Sequence, residues 1–377
     1  MVHSPAVSAS CAVSLARTSS ASVAQRLLFL DNLRVVAMAM VILQHVGQAY
    51  GPTGGAWPIQ DASRAGVLGP FFTVNRSFGM SLFFMIAGYL MIISADRKGA
   101  LPFLKDRLLR LGLPLLGFCI VMEFLQAFVF AVPANGYSRG VAWPVEAAHM
   151  WFVEHLLIYS TVYAAWRWLR RHHPIVGPTT SRVPPWWAIV AFALALALVS
   201  FVVRTWYAID HWVYLLGFIK VAWADVPRDL SLFVIGAIAY RKGWLGALSP
   251  RSGRVWLAVG LLLAVVMYYV RLARPDSALN DGRSIGYAVW ESLLCVSMCI
   301  GLVVLFRDLW NSQGALGKRM AQGQYATYVF HIGVVLLFQW ALLGLVAAPF
   351  AKFVLASLLS VPAAFLVGYW VSKPLRL

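Results

Sequence analysis

The sequence predicts an all-α integral membrane protein, in which a bundle of about ten transmembrane helices forms one domain. Of the 377 residues, 61% are hydrophobic and only 12% are charged, which is more apolar surface than a soluble chain of this length buries. The apolar residues also fall into runs of about 20, the length that a helix needs to cross a bilayer. In chain order, the predicted spans cover 33–50, 71–94, 111–132, 148–168, 185–205, 229–240, 254–272, 284–306, 324–346 and 350–371.

Two segments lie outside this pattern of spans. Residues 1–25 are rich in Ser and Ala and lack the apolar core of a signal peptide, so we expect a disordered cytoplasmic tail there. Residues 26–377 then form the membrane domain. The stretch 206–228 has no clear period, and we expect a re-entrant or amphipathic segment at the outer face.

The net charge of +17 follows the positive-inside rule. Clusters of Lys and Arg precede the first span and follow the second, fourth, sixth, eighth and tenth, which predicts that both termini are cytoplasmic. A nucleic-acid binder would gather its charge on a hydrophilic face, so we expect the lipid bilayer as a partner and no nucleic acid. The four cysteines form no CxxC and no His/Cys cluster with zinc-ligand spacing, so we expect no metal.

Arg34 and His45 are ionisable residues within the first span. Eleven residues separate them, or about 16 Å along a helix, which is roughly half the thickness of the hydrocarbon layer. Arg34 would lie near the cytoplasmic boundary, and His45 near mid-membrane or in the outer half. Arg34 could be a snorkelling anchor and His45 a packing hydrogen bond, but ionisable groups at this depth usually indicate function.

Further ionisable residues are expected near the outer ends of the second and fourth spans. Glu154 and His155 begin the fourth span at a depth similar to that of His45, and a carboxylate can orient an imidazole that must accept a proton. Glu154 is therefore a candidate partner of His45. Arg76 opposes the positive-inside trend, so we take Arg76 and His155 as candidate substrate-binding residues.

Two pairs of residues are candidates for binding a cofactor at the cytoplasmic side. Arg107 and Arg110 lie three residues apart on one face of a helix that enters the third span, and guanidinium groups bind phosphates in a bidentate way. The alternative is a solvated positive-inside cluster. Tyr328 and His331, near the cytoplasmic start of the ninth span, line a passage for a polar cofactor or make a packing hydrogen bond.

Six segments, in the same order, resemble the acyltransferase-3 family of integral membrane acyltransferases. They are FLDNLRVVAMAMVILQHV, RSFGMSLFFMIAGYLM, RLLRLGLP, HMWFVEHLLIYS, FVIGAIAYRKGWL and YATYVFHIGVV. The resemblance covers roughly residues 26–377 and is to the stand-alone type, which includes glucan succinyltransferases. The chain departs from the family at Ala87, where many members have Ser.

The resemblance implies transfer of an acyl group, often acetyl or succinyl, from cytoplasmic acyl-CoA to a hydroxyl of an extracytoplasmic glycan or lipid-linked sugar, without a metal. Arg34 and His45 match the catalytic motif of the first helix, and Arg107 and Arg110 match the family's RxxR. The resemblance also implies that the protein resides in a bacterial cytoplasmic membrane. Acetyl-CoA or succinyl-CoA would be the co-substrate.

Within this hypothesis, His45 acts as a general base and Glu154 stabilises its imidazolium. An acyl-histidine intermediate is the competing mechanism. A transporter or flippase for a sugar-linked lipid or small solute is the other class of function, because intramembrane His, Arg and Glu also mark proton relays.

Overall fold

The computed structural model describes residues 6–52, 57–128, 147–173, 179 and 182–375, with side chains described from residue 27 onward and, in the third span, up to residue 121. It confirms an all-α membrane fold. The helices are α1 (Ala6–Gly47), α2 (Leu68–Lys98), α3 (Ala100–Arg107), α4 (Leu113–Phe128), α5 (Trp151–Leu169), α6 (Trp186–Trp206), α7 (Val226–Arg241), α8 (Trp244–Ala247), α9 (Pro250–Ala273), α10 (Ile285–Leu309), α11 (Ala315–Ala341) and α12 (Pro349–Leu375).

Each of the ten predicted spans overlaps one of these helices, and residues 129–132 of the third span lie outside the part that the structure describes. In the described part of the chain, six helices are long and apolar enough to cross a membrane: α1 over Leu27–Gly47, α2, α6, α9, α10 and α12. The other four predicted spans correspond to α4, α5, α7 and α11. The start of α11 lies nine residues before the predicted boundary, because its first turns are polar and hydropathy detects only the apolar part.

The segment between α6 and α7 is a β-hairpin and contains neither a re-entrant nor an amphipathic helix. Strands β1 (Val213–Leu215) and β2 (Ile219–Val221) pair antiparallel. Leu216 and Gly217 in the turn have φ values of 54° and 81°, as hairpin turns of matching twist require. The strands are too short to produce a detectable period in the sequence.

The N-terminal segment is helical from Ala6, but the side chains of residues 1–26 lie outside the part that the structure describes. The disordered tail over 1–25 therefore stays a prediction.

Small residues allow the helices around the site to approach closely. A Cβ at Gly88 of α2 would lie 2.1 Å from the carbonyl oxygen of Phe233, and one at Gly236 of α7 would lie 1.9 Å from that of Met85. Such contacts are typical of helix pairs in membranes, where close packing replaces the hydrophobic effect as the driving force. They fix α2 against α7 along one wall of the site.

An ionic cluster lies inside the bundle. Glu291 of α10 accepts hydrogen bonds from Arg204 of α6 at 2.5 Å and from Arg228 of α7 at 2.7 Å, and all three side chains are buried. Buried charges of this kind are tolerated only when they are paired. Glu291 is thus part of an ion-pair network that joins three helices.

Candidate active site

Two histidines from distant parts of the chain meet inside the bundle. His45 of α1 and His331 of α11 bring Nδ1 and Nε2 to 3.3 Å, with ring centroids 5.0 Å apart. His331 is fully buried, whereas His45 is partly accessible. Of the two, only His45 keeps accessible surface.

The hydrogen bonds of this pair fix which nitrogens carry protons. His331 Nδ1 lies 2.7 Å from the carbonyl oxygen of Tyr328, and His45 Nδ1 lies 2.9 Å from that of Val41. A carbonyl oxygen only accepts, so both Nδ1 atoms are protonated in the neutral rings. The single Nδ1–H of His45 is then shared between the Val41 carbonyl oxygen and His331 Nε2, and His45 Nε2 carries the lone pair that a general base needs.

A third histidine packs beside the pair. His149, just before α5, places its ring centroid 4.9 Å from that of His331, and its Nε2–H donates to the carbonyl oxygens of Tyr328 and Val329 at 3.1 Å. The Tyr328 hydroxyl donates in return to the backbone oxygen of His149. Even so, within the described residues no three His, Cys, Asp or Glu side chains are arranged to hold a metal ion.

Gln339 and Trp57 form a further set of polar contacts next to His45. Gln339 Nε2 donates to the backbone oxygens of His45 and Val46 at 3.2 and 2.9 Å. Its Oε1 accepts from the indole nitrogen of Trp57 at 2.8 Å, and the Trp57 ring lies 5.7 Å from the His45 ring. Trp57 lies between α1 and α2, so a residue from outside the helices packs directly against His45.

A cavity of about 170 Å³ lies on the side of His45 that faces Arg34. Its wall is mostly apolar and comes from α1, α2, α5, α7, α11 and the junction of α3 with α4. Arg34 and Arg107 are its basic groups. An apolar cavity with a few polar groups in its wall is the usual form of a small-molecule site.

Two helix faces lead from this cavity to the histidine pair. On α1, Arg34, Met38 and Val41 line the cavity, and His45 follows four residues after Val41 on the same face. The imidazole folds back over Val41, as its hydrogen bond to that carbonyl shows. On α11, Tyr328 lines the cavity and His331 follows three residues later.

Arg107 and Arg110 do not share one face in the structure, and their joint binding of a phosphate stays a prediction. A π-helical turn, Leu108–Gly112, follows Arg107, and its wider winding rotates Arg110 away from the face of Arg107. Arg107 faces the cavity and stacks on Phe103 at 5.2 Å. Arg110 is exposed and bonds Asp106 at 3.0 Å.

Asp106 is well suited to hold Arg110 in this position. Burial on its own would raise the pKa of Asp106, but the hydrogen bond from Lys98 and the charges of Arg110, Lys98 and Arg107 keep that pKa below its ordinary value. Asp106 is therefore ionised, and it pairs with Lys98 at 2.8 Å as well as with Arg110. Arg34 and Arg107 remain as the basic side chains of the cavity.

Comparison with known proteins identifies the family. The family model for the acyltransferase-3 group, described as an acyltransferase domain, matches residues 27–369. The chain belongs to this acyltransferase family. It is similar to glucans biosynthesis protein C of Escherichia coli strains SMS-3-5 and K12, with 24% identity over 328 residues that cover 83% of this chain and 80% of each relative. No solved structure matches.

In this acyltransferase, Glu154 and His155 both make hydrogen bonds to the backbone of Lys220 in the hairpin. Glu154 Oε2 accepts from the backbone nitrogen of Lys220 at 3.0 Å, and His155 Nε2 donates to the carbonyl oxygen of the same residue at 3.1 Å. These two hydrogen bonds hold β2 against the first turn of α5. His45 instead has His331 as a contact, and the pairing of Glu154 with His45 stays a prediction.

Arg76 belongs to the ionic cluster. Its two terminal nitrogens bond Asp225 at 2.8 Å and Asp210 at 3.0 Å, and Asp225 also pairs with Arg228 at 3.2 Å. This pairing accounts for an arginine at that end of α2, where the positive-inside trend made it unusual. Substrate binding by Arg76 and His155 stays a prediction.

Sequence reasoning missed several residues of the site. His149 lies within the segment HMWFVEH, but only its neighbours Glu154 and His155 were singled out. The sequence also does not mark Gln339 and Trp57 as site residues, because an amide or an indole near the end of a span is common. The eight-residue interval from His331 to Gln339, two helical turns on one face, is the signal that could have connected Gln339 to the site.

Proposed function

We propose that this acyltransferase moves an acyl group from acyl-CoA, bound from the cytoplasmic side, to a hydroxyl of an extracytoplasmic glycan or lipid-linked sugar. Acetyl-CoA and succinyl-CoA are the proposed donors. One observation carries the proposal above all: the cavity between Arg34 and Arg107 is bounded by helix faces that continue to His45 and His331.

The two ends of the site suit the two ends of an acyl-CoA. Guanidinium groups bind phosphates through charge-assisted, bidentate hydrogen bonds, which gives Arg34 and Arg107 a role at the nucleotide end. The apolar wall suits a flexible thiol arm. Arg34 and His45 are about 16 Å apart along α1, so a donor held by its phosphates would present its thioester deep in the bundle.

His45 would act as the general base. Its Nε2 takes the proton of the acceptor hydroxyl while the hydroxyl oxygen attacks the thioester carbonyl carbon. The carbon–sulfur bond then breaks, and the leaving thiolate of CoA takes the proton from His45. The products are an ester and free CoA. The imidazolium is stabilised meanwhile by its Nδ1–H, which the Val41 carbonyl oxygen and His331 Nε2 share as acceptors.

The acceptor is proposed from two considerations. The relatives at 24% identity carry a name that refers to glucan biosynthesis, which favours a glycan hydroxyl. Trp57 packs against His45 from the loop after α1, and aromatic rings are suitable surfaces for a sugar. We therefore expect the acceptor to reach His45 past this loop.

Sealed vesicles of known orientation test the sidedness of the reaction. Acyl-CoA should support transfer only from the face that carries the chain termini, and a membrane-impermeant glycan acceptor only from the other face. Reaction with both substrates supplied at the cytoplasmic face would contradict the proposal. Movement of a solute without consumption of acyl-CoA would favour a transporter instead.

The donor site is tested by separating the two arginines of the RxxR motif. Arg107→Lys keeps the charge and removes the bidentate fork, so we expect the KM for acyl-CoA to rise while the KM for the acceptor stays unchanged. Arg110→Lys is the matched variant, and its effect on the donor KM should be small because Arg110 faces away from the cavity. Equal effects of both variants on the donor KM would indicate instead that Arg107 and Arg110 bind the phosphates together.

A further inference from the structure

The cavity wall contains polar atoms that make no hydrogen bond within the described part of the protein. They are Oε1 and Nε2 of Gln324 and the hydroxyl oxygen of Tyr325, all shielded from solvent, together with Nε of Arg107. Gln324 as a whole is only 4% exposed. Both α11 residues line the cavity. A buried polar group without a partner is costly, so this wall is suited to a ligand that supplies the missing partners.

The position of these atoms along α11 indicates which part of a ligand they would meet. Gln324 lies seven residues before His331, which is about 10 Å along the helix. Tyr325 and Tyr328 lie between them on the cavity side. A ligand that extends from Arg107 towards His45 therefore passes Gln324 and Tyr325 in the middle of its length.

The chemistry of the two side chains selects among possible ligand groups. A carboxamide offers both a donor and an acceptor, and a tyrosine hydroxyl offers the same combination. A phosphate would satisfy only the donors, and a lipid chain would satisfy none of these atoms. A secondary amide has one N–H and one C=O, so it can donate a hydrogen bond to the carboxamide oxygen and accept one from the carboxamide nitrogen.

We infer that Gln324 and Tyr325 bind the amide groups of the pantetheine arm of the donor. This arm contains two secondary amides separated by short carbon chains, so its alternation of polar and apolar groups matches the wall. The inference rests on the proposed function, because it names the part of acyl-CoA that lies between the phosphates and the thioester. It makes Gln324 and Tyr325 binding residues that set the position of the thioester at His45.

Binding measured by calorimetry on the protein in lipid nanodiscs tests this inference without turnover. The probes are CoA and pantetheine, which share the amides and differ in the phosphates. Gln324→Met keeps the length and volume of the side chain but removes donor and acceptor, and we expect it to weaken both probes by about tenfold. Arg107→Gln should weaken CoA and leave pantetheine unchanged.

Tyr325→Phe and Tyr50→Phe form a matched pair of controls. Each removes one hydroxyl that is shielded from solvent and has no hydrogen-bond partner in the described structure, but Tyr50 is outside the cavity lining. We expect Tyr325→Phe to weaken both probes severalfold and Tyr50→Phe to weaken neither. Tyr325→Phe loses a single oxygen, so it decides the question if Gln324→Met does not fold.

The outcomes separate the inference from the proposed function. If the unchanged protein binds CoA and both cavity variants bind CoA and pantetheine equally well, the inference is wrong and the proposed donor stands. If the unchanged protein binds neither probe, the proposed donor fails and the inference fails with it. Selective weakening of both probes by the two cavity variants supports the inference.

Discussion

His331→Met tests whether His331 supports the base. His331 Nε2 accepts a hydrogen bond from His45 Nδ1 at 3.3 Å, and this bond strengthens when His45 becomes an imidazolium in the transition state. A hydrogen bond to a charged group contributes about 1.5–3 kcal/mol. At 1.36 kcal/mol per factor of ten, its loss should lower kcat by about 10- to 150-fold. The other bond of Nδ1, to Val41, remains and prevents a larger loss.

His331→Gln is the matched variant for this prediction. Its amide oxygen can take a position close to that of Nε2, so an acceptor remains for His45, and we expect most of kcat to return. Initial rates of acyl-CoA consumption in proteoliposomes give kcat and the donor KM for each variant. The KM should change little, because His331 lies beyond the cavity lining. The melting temperature of each variant in detergent checks that it is folded.

Two results would refute this reasoning. If His331→Met retains a kcat within about threefold of the unchanged protein, the contact between the histidines carries less than about 0.7 kcal/mol in the transition state, and His331 is a packing residue. If the Met and Gln variants lose kcat equally while both remain folded, the imidazole itself is required. His331 would then take part in proton transfer.

Three further changes test other parts of the site. His45→Ala should abolish transfer while the protein remains inserted, because it removes the proposed base; turnover near the original value, measured by CoA release, would make His45 a packing residue. Glu154→Gln keeps an oxygen that accepts from the Lys220 backbone, so turnover should stay close to normal, and complete loss would reveal a role for the negative charge. Glu291→Gln removes the carboxylate that the buried guanidinium groups of Arg204 and Arg228 share and should cost about 3–5 kcal/mol of stability, seen as a lower melting temperature; an unchanged melting temperature would contradict a structural role.

The order of the helices follows from the sequence because hydropathy is a property of each segment alone. Twenty apolar residues cross a bilayer whatever their neighbours do, and a bilayer leaves a helix as the main way to satisfy the backbone. The sequence does not predict the hairpin after α6, because the hairpin depends on contacts with residues from another segment. Its strands of three residues each depend on contacts with Glu154 and His155, which no local pattern contains.

The face of α1 that carries the site was also accessible from the sequence, but the partner of its histidine was not. Arg34 and His45 are eleven residues apart on a single helix, so their common face and their distance follow from helix geometry. The distance between His45 and any residue of another helix depends on how the bundle packs. Glu154 had the more suitable chemistry for stabilising an imidazolium, whereas the structure brings His331 to His45.

The RxxR segment shows how a local irregularity can change a functional assignment. Spacing by three residues places two arginines on one face only if the helix is regular. The π-helical turn after Arg107 separates them, and Asp106 binds the displaced Arg110. Arg107 then shares the cavity with Arg34, a residue more than 70 positions earlier in the chain. The proposed phosphate site therefore draws on two helices, and its second arginine comes from the same helix as the proposed base.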